Sequence, residues 1–390
     1  HYLLALPVIR EHARAPTTSP FDLWQAIAIL RDGTMDAPFW RRLDTLVAAP
    51  GTDPSTALAT VAFALHGRER LAPRVWQQLG ERATRRPMRR GHTDHEAVNY
   101  YATLLLAAQS WPTTAAADWF NGHSSTTNYR TARRFLLDFA VRVGSRGLAE
   151  FDSPTLLHEI VTPLLIVHDF AVAADVREAA SATLDVLLAD YLTESLRGTY
   201  CGAHAAVGTR DTIRTDDQAR GYHYIFAGGI DVPKPSPSWL LATTYTRYRP
   251  DPVLREIAND RRKPFVHQER KPGPTPNRDR GVGEPLARRY TYLTEFYGLG
   301  SVQGGIHYPV QQHSWDVSWR SDTANATLFA VHPSWSEREL TSYFAGTLDQ
   351  LLANAEQAQP DYRSADKWVS ASPHERLLQD KNVLLAVYRL

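Results

Sequence analysis

The residues best suited to acid–base chemistry are concentrated in one polar stretch between Arg197 and Tyr224. Histidine and tyrosine can accept or deliver a proton, and an arginine fork can bind a carboxylate through two parallel hydrogen bonds. The stretch follows two apolar-periodic runs, Ser153–Asp169 and Asp175–Leu196, so we expect a polar loop outside the core, held by a helical hairpin. Such loops commonly carry binding and catalytic groups. Its candidate site residues are His204, Arg210, Arg214, Tyr222 and His223.

Each of these side chains also has a structural explanation. His204 follows a Gly-Ala pair and could bond backbone groups in a tight turn. Residues 222–224 alternate as in a half-buried strand, which predicts that one side of this segment packs against the core. The sequence leaves both roles open at these positions.

Composition excludes several classes of function. The 390 residues are 43% hydrophobic, enough to bury a large core in one or two domains. Lys and Arg (43) nearly balance Asp and Glu (42) without a basic block, which argues against nucleic acid as a partner. No apolar run is long enough to span a bilayer, which argues against membrane insertion. Cys201 is the single cysteine, which excludes an internal disulfide and a Cys-rich zinc site.

Cofactor and metal motifs are absent from the sequence. There is no Gly-rich phosphate loop, no Gly-x-Ser-x-Gly elbow and no dinucleotide fingerprint. The spacing of His307 and His313 does not match a standard zinc motif. We therefore expect neither a cofactor nor a metal.

The chain divides into a helical part and a strand-rich part. Apolar residues recur at helical spacing over residues 1–260, for example over 94–110 and 252–259. Short connections between successive helices predict antiparallel packing, either in a superhelix or in a closed toroid. Residues 261–285, rich in Arg, Lys, Pro and Gly, predict an exposed connection. From residue 286 to 390, aromatic and β-branched residues alternate, which predicts strands.

Five short motifs are spread over this framework. They are Thr93-Asp-His-Glu96, Glu150-Phe-Asp-Ser-Pro154, Asp169-Phe-Ala, Arg197-Gly with Gly202-Ala-His204, and Tyr290-Thr-Tyr292 leading to Gln311-Gln-His-Ser-Trp315. Together they resemble the helical (α/α) toroid polysaccharide lyases and the heparinase-II/III-like family. The resemblance implies an α+β protein. An incomplete (α/α) toroid of helical hairpins would precede an antiparallel, sandwich-like β-sheet domain.

The resemblance implies a polysaccharide lyase that cleaves an acidic, uronate-containing polysaccharide or oligosaccharide without a cofactor. In such enzymes an Asn and a His near the start of a toroid helix contact the uronate carboxylate. The matching place here carries His95, Glu96 and, one turn later, Asn99. Glu96 departs from the family pattern, because its charge repels a uronate unless it is protonated or paired with Arg. Capping of the helix N-terminus is the alternative role for His95 and Glu96.

β-Elimination next to a uronate carboxylate needs a partner for that carboxylate, a base for the neighbouring proton and an acid for the leaving oxygen. The candidates are His204 or His223 as the base, Tyr222, Tyr224 or Tyr292 as the acid, and Arg210, Arg214 or Arg289 as the carboxylate partner. Trp315 could stack on a sugar ring, although most tryptophans belong to the core. Core burial is likewise the alternative for Tyr292.

Two other functions are compatible with this chain. A glycoside hydrolase would need two carboxylates about 5–9.5 Å apart across one cleft, for which Glu96 with Asp152, or Asp216 with Asp217, are candidate pairs. A non-catalytic scaffold that binds glycans or proteins would need no such pair. If the site is shared, we expect one cleft lined by His95, Glu96, His204, Arg214 and Tyr222.

Overall fold

In the computed structural model, two helices begin at a reciprocal capping box. Thr93 and Glu96 form a reciprocal capping box ahead of the helix Asp94–Ser110, and Asp22 and Gln25 form another ahead of Leu23–Asp32. Such boxes satisfy backbone N–H groups that have no partner within the helix. The helix predicted over residues 94–110 is confirmed.

The chain forms two units, each built from separate stretches of sequence. Unit 1 comprises His1–Gly144, His158–Leu187 and Asp231–Pro250, and unit 2 comprises Ser145–Leu157, Leu188–Ile230 and Asp251–Leu390. The predicted division is contiguous instead, with its boundary in residues 261–285. The structure describes residues 2–14, 22–33, 35–48, 54–91, 93–150, 152–154, 156–205, 219–231, 237–272, 286–303, 312–321, 326–329 and 375–388.

Among the described residues, helices dominate unit 1, whereas unit 2 has fewer of them. The helices are α1 (Tyr2–Arg14), α2 (Leu23–Asp32), α3 (Ala37–Ala48), α4 (Pro54–Gly67), α5 (Pro73–Arg85), α6 (Asp94–Ser110), α7 (Ser125–Arg146), α8 (Leu157–Phe170), α9 (Ala174–Thr193), α10 (Arg220–Tyr222), α11 (Leu241–Tyr245) and α12 (Pro252–Asn259). Short 3₁₀ turns cover Ala116–Asp118 and Ser238–Leu240, and a π-helical turn, His223–Ala227, extends α10. Of these helices, α10 and α12 lie in unit 2.

Within unit 1, alternate helices form the interior. Helix α4 contacts both α2 and α6, whereas α5 packs against α4 and α6 from the side. Residues 58–64 of α4 are buried without interruption, as are residues 102–108 of α6. A helix that is buried on all faces must be surrounded by other elements. Helices α4 and α6 therefore form the centre of unit 1.

Unit 2 contains the sheet. The strands are β1 (Ser195–Leu196), β2 (Thr199–Tyr200), β3 (His204–Ala205), β4 (Phe265–Pro272), β5 (Leu286–Leu293), β6 (Tyr297–Gln303), β7 (Gln312–His313), β8 (Trp315–Trp319), β9 (Thr327–Phe329), β10 (Glu375–Asp380) and β11 (Val383–Tyr388). The main sheet has the order β4-β5-β6-β8-β9, and all its neighbours are antiparallel. Strand β1 pairs with β2, β3 with β7, and β10 with β11. The combination of helices with an antiparallel sheet confirms the α+β class.

The two faces of the main sheet differ in chemistry. On β5, Arg289 and Thr291 are buried, whereas Tyr290 and Tyr292 point to the other face and are half-buried. We call the face of Arg289 and Thr291 the inner face. The register pairs Glu269 with Arg289 across β4 and β5, so charged side chains of both strands share the inner face.

Glycines on β6 let another segment approach the inner face closely. Gly300 pairs with Thr291 on one side and with Asp316 on the other. A Cβ atom at Gly300 would collide with the backbone of Gly202. The segment that contains Gly202 therefore lies directly against the sheet.

The hairpin β10–β11 covers part of the opposite face. Gln379 donates from Nε2 to the carbonyl oxygen of Leu299 at 2.8 Å and accepts from Ser301 Oγ at 2.6 Å. Trp315 Nε1 donates to the hydroxyl of Tyr388 at 3.0 Å. These contacts add a second layer of strands to the main sheet.

One predicted feature of this region is wrong. Residues 261–285 were expected to form an exposed connection, but residues 265–272 form β4. His267, Glu269 and Lys271 occupy every second position of the strand, and Glu269 contacts both of the others as well as Arg289. These three titratable side chains therefore share one face of the strand.

Candidate functional site

A cavity of about 480 Å³ lies in unit 1. This volume is within the range of about 300–1,000 Å³ that is common for small-molecule sites. Aromatic and polar side chains share its wall with aliphatic ones. The lining residues are Asp22, Leu23, Trp24, Leu46, Ser55, Thr56, Leu58, Ala59, Arg82, Asn99, His158, Glu159, Thr162, Ser238 and Trp239.

The capping residue of α2 also fixes the aromatic wall of this cavity. Asp22 Oδ1 accepts the backbone N–H of Gln25 at 2.9 Å, and Asp22 Oδ2 accepts the hydroxyl of Ser238. The second bond ties the 3₁₀ turn Ser238–Leu240 to the start of α2. Trp24 and Trp239 consequently line the same cavity.

Asn99, Glu159 and His158 form a chain of polar contacts in the wall. Asn99 Nδ2 lies 2.5 Å from the carbonyl oxygen of Glu159 and 3.3 Å from its Oε2. His158 Nε2 lies 3.3 Å from Glu159 Oε1. The imidazole also stacks on Trp239, with ring centroids 4.4 Å apart and planes inclined by 20°. This arrangement can hold an imidazole in one orientation for proton transfer.

Arg82 gives the cavity a cationic end. Burial lowers the pKa of its guanidinium to about 10, and the like charge of Arg86 contributes to the decrease. A small adjoining cavity of about 10 Å³ is lined by both arginines. A bound anion would offset both effects, because it stabilises the charged form of a partly buried cation.

The predicted substrate residues of α6 have different roles. Asn99 lines the cavity. Glu96 caps the helix, since its Oε2 accepts the N–H of Thr93 at 3.2 Å and its own N–H donates to Thr93 Oγ1 at 3.3 Å. His95 offers its carbonyl oxygen to Asn99 Nδ2 at 3.0 Å. The capping alternative for Glu96 is thereby confirmed.

Unit 2 contains a network of charges on the inner face of its sheet, which we call the buried charge cluster. Its members are Asp152, Asp190, Glu194, Glu269, Lys271, Arg289 and Asp316. Arg289 Nη1 lies 2.6 Å from Glu194 Oε2 and 2.5 Å from Glu269 Oε1, and it also contacts Asp152. Lys271 Nζ contacts Asp190 and lies 2.9 Å from Glu269 Oε2. Two cations thus bridge four carboxylates.

His204 is part of the surroundings of this cluster. Its side chain is buried, with Nδ1 2.6 Å from the carbonyl oxygen of Asp152 and Nε2 3.8 Å from Asp316 Oδ2. Asp316 also accepts the N–H of Gly202 at 2.9 Å, and Tyr200 donates its hydroxyl to Asp152 at 2.5 Å. These bonds fasten the segment 200–204 to the sheet.

Negative charge exceeds positive charge in the cluster, since its five carboxylates face two permanent cations. Burial raises the pKa of Asp190 to about 8, against the charge of Lys271. Burial also raises the pKa values of Glu194 and Asp316, although Arg289 acts in the opposite direction. Glu269 differs, because a hydrogen bond from His267 and the two cations outweigh burial and lower its pKa. Burial therefore favours the protonated forms of Asp190, Glu194 and Asp316.

The carboxylates of the cluster bring metal-ligand atoms close together. Oxygen and imidazole ligands of Asp190, His267 and Glu269 lie within 4.8 Å of one another, and so do those of Asp152, Glu194 and Glu269. In both groups a protein cation contacts the carboxylates, Lys271 in the first and Arg289 in the second. A metal ion would have to displace that cation. This donor set therefore fits a metal poorly.

Most described residues of the polar stretch expected outside the core are buried, although Arg197 is exposed. Tyr222 is fully buried and stacks on Phe226 with ring centroids 6.3 Å apart. His223 is 1% exposed and its Nδ1 lies 2.9 Å from Ser195 Oγ. Burial lowers the pKa of His223 to about 4, with help from the charges of Arg261 and Arg220. The expectation of an exposed loop is wrong at these positions, because tertiary partners satisfy the polar groups.

The other predicted residues are spread over unit 2. Arg289 is the central cation of the buried charge cluster, whereas Tyr292 is half-buried on the opposite face of β5. Trp315 is half-buried beside β11, where it contacts Tyr388. Arg210 and Arg214 lie outside the described residues. Because the α6 residues belong to unit 1 and His204 to unit 2, the single shared cleft stays a prediction.

Sequence reasoning missed several residues of the unit 1 cavity, namely Trp24, Arg82, His158 and Glu159. One signal was available, since a His-Glu pair interrupts the apolar run that begins α8. Arg82 and Trp24 carry no comparable local signal. Their helices bring them to the cavity only in the folded unit.

No helix among the described residues is both long and apolar enough to cross a membrane. Comparison of the chain with protein-family models, with curated proteins and with solved structures finds no match in any of the three.

Proposed function

We propose that the chain is a carbohydrate-active enzyme that binds an acidic, uronate-containing saccharide in the unit 1 cavity and cleaves it by cofactor-free β-elimination. The observation that carries this proposal is the meeting of Arg82, Asn99 and His158 with two tryptophans around one cavity. An Asn and a His beside a carboxylate-binding cation are the groups that the lyase resemblance implies. His158 is then the base, the role for which His204 and His223 are the candidates from the sequence.

Each group has a role in the proposed reaction. Trp24 and Trp239 offer flat apolar surfaces on which sugar rings stack. Arg82 binds the uronate carboxylate and thereby makes the neighbouring proton more acidic. His158 removes that proton, the bond from C4 to the leaving oxygen breaks, and the resulting imidazolium returns a proton to that oxygen. The products are a new hydroxyl group and a sugar with a C4–C5 double bond.

The packing of unit 1 supports the toroid as its arrangement. Helices α2, α4 and α6 contact one another in sequence, and α5 lies against α4 and α6. In an (α/α) toroid of helical hairpins, every second helix belongs to an inner ring. The cavity residues of α2, α4 and α6 are consistent with a site at the mouth of such a ring.

The test is incubation of the full chain with a panel of uronate-containing polysaccharides while ultraviolet absorbance of the unsaturated product is recorded. We expect absorbance to rise with at least one member of the panel. His158→Gln should lower turnover by about 10²- to 10⁴-fold. His123→Gln, at an exposed histidine, is the matched control and should keep wild-type turnover. Equal turnover in both variants would remove His158 from the mechanism.

A glycoside hydrolase is the second candidate, because two carboxylates, Asp22 and Glu159, line the same cavity. Both oxygens of Asp22 accept hydrogen bonds, from Gln25 and Ser238, which suits a cap better than a nucleophile. Hydrolysis would release reducing ends without the ultraviolet signal. Binding of a saccharide without any product would favour the non-catalytic scaffold.

A further inference from the structure

We propose that Glu159 is a positioning residue that holds the imidazole of His158 in the tautomer with its proton on Nε2. The role of Glu159 in catalysis rests on the proposed function, whereas the tautomer of His158 does not depend on it. The observations that carry it are the contacts of Glu159 with Asn99 and with His158.

The side-chain amide of Asn99 contacts Glu159 at two points. Asn99 is 3% exposed and donates from Nδ2 to both the carbonyl oxygen and the carboxylate of Glu159. The same Nδ2 donates to the carbonyl oxygen of His95 one turn earlier in α6. An amide held by backbone acceptors on two helices cannot rotate freely. Asn99 therefore sets the orientation of the Glu159 carboxylate.

That carboxylate in turn faces one nitrogen of the His158 ring. Glu159 Oε1 lies 3.3 Å from Nε2, within reach of a hydrogen bond that shortens slightly when a ligand binds. An N–H at Nε2 donates to the carboxylate, whereas a lone pair there would repel it. In a neutral imidazole the other nitrogen, Nδ1, must then be the proton acceptor.

The plane of the ring is fixed separately. His158 stacks on Trp239 at 4.4 Å, and Ser238 ties the same turn to Asp22. Glu159 selects the tautomer of the His158 ring, and Trp239 fixes the plane of that ring. Nδ1 is therefore the basic atom, and its lone pair has a defined direction. Such an arrangement raises the rate through orientation rather than through tighter binding of substrate.

The experiment uses the full chain labelled with ¹⁵N-histidine at a pH where the ring is neutral. Ring nitrogen chemical shifts distinguish a protonated nitrogen from a bare one, and the His158 signals are identified by their loss in His158→Gln. We expect wild type to carry the proton on Nε2 and Glu159→Gln to give a tautomer mixture. Glu178→Gln, at an exposed glutamate of α9, should keep the wild-type signals.

Kinetics of the same proteins supply the second readout. On a substrate that gives the unsaturated product, Glu159→Gln should lower kcat by about 10²- to 10⁴-fold with little change in KM. A wild-type proton on Nδ1, or a tautomer and kcat unchanged by Glu159→Gln, would overturn the inference. A tautomer that follows Glu159 in a chain that cleaves no uronate would support the positioning role and refute the proposed function. If the chain cleaves a uronate while the His158 tautomer does not depend on Glu159, the positioning role is refuted and the proposed function is supported.

Discussion

Replacing the central cation of the buried charge cluster should unfold unit 2 more readily than any surface change. Arg289→Met keeps most of the side-chain volume but removes the charge that contacts three carboxylates, those of Asp152, Glu194 and Glu269. Breaking a buried ion pair by removing one partner costs about 3–5 kcal/mol, because the remaining charge is left uncompensated. Protonation of the carboxylates offsets part of this loss. We expect a net decrease of about 3 kcal/mol in the free energy of unfolding.

The assay is urea unfolding followed by circular dichroism, with hydrogen exchange of the β5 and β6 amides to identify the unit that unfolds. Small domains lose about 1–3 kcal/mol per molar urea, so the midpoint for unit 2 should fall by at least about 1 M. Arg134→Met is the control, since Arg134 and Asp138 form an exposed pair at 3.7 Å. It should change stability by less than about 0.5 kcal/mol. A loss below about 1 kcal/mol for Arg289→Met would refute the reasoning.

Three further predictions concern unit 2. Its stability should fall as pH rises from the ordinary Asp value of 3.8 to about 8, because the raised pKa of Asp190 means that the folded state holds a proton which the unfolded state releases. Urea midpoints across this range test it, and Asp190→Asn should flatten the profile. Gly300→Ala should destabilise the protein by about 1–3 kcal/mol, because the added Cβ meets backbone. Gly144→Ala, with open space around its Cβ, should stabilise the protein by up to about 1 kcal/mol. A higher melting temperature for Gly300→Ala than for Gly144→Ala would contradict this. His204→Ala should lower the melting temperature because it removes a buried bonded ring, and an unchanged melting temperature would show that the ring is not structural.

Helix positions followed from the sequence where local chemistry alone decides them. The helix predicted over residues 252–259 is confirmed, because Asp251 caps it and Pro252 occupies its first position. The helix predicted over residues 94–110 is likewise confirmed, because Thr93 and Glu96 form its capping box. Both residues of a helix cap lie within a few positions of each other, so the sequence alone predicts the cap.

Burial of polar residues could not be read from the sequence, because it depends on partners far along the chain. Gly202 donates to Asp316, 114 positions later, and Arg289 contacts Glu194, 95 positions earlier. Neither bond leaves a local pattern. A stretch rich in His, Tyr and Gly therefore looked like an exposed loop, and the charged strand β4 looked like a connection.

The candidate site was missed for a related reason. Asn99 was predicted from its place near the start of α6, but its companions come from α5 and α8. Only the packing of the helices shows that Arg82 and His158 share a cavity with it. The sequence could supply residue types suited to elimination, whereas the choice among them required the fold.

The most direct test of the account is the rate of unsaturated-product formation by wild type, Arg82→Gln and Arg74→Gln on a uronate polysaccharide. Arg82 lines the cavity, whereas Arg74 is an exposed arginine of the same helix, α5. A hydrogen bond between charged groups contributes about 1.5–3 kcal/mol, so Arg82→Gln should lower kcat/KM by roughly 10- to 100-fold. Arg74→Gln should match wild type. Absence of product from every uronate tested, or equal kcat/KM for all three proteins, would contradict the assignment of the unit 1 cavity as the site of elimination.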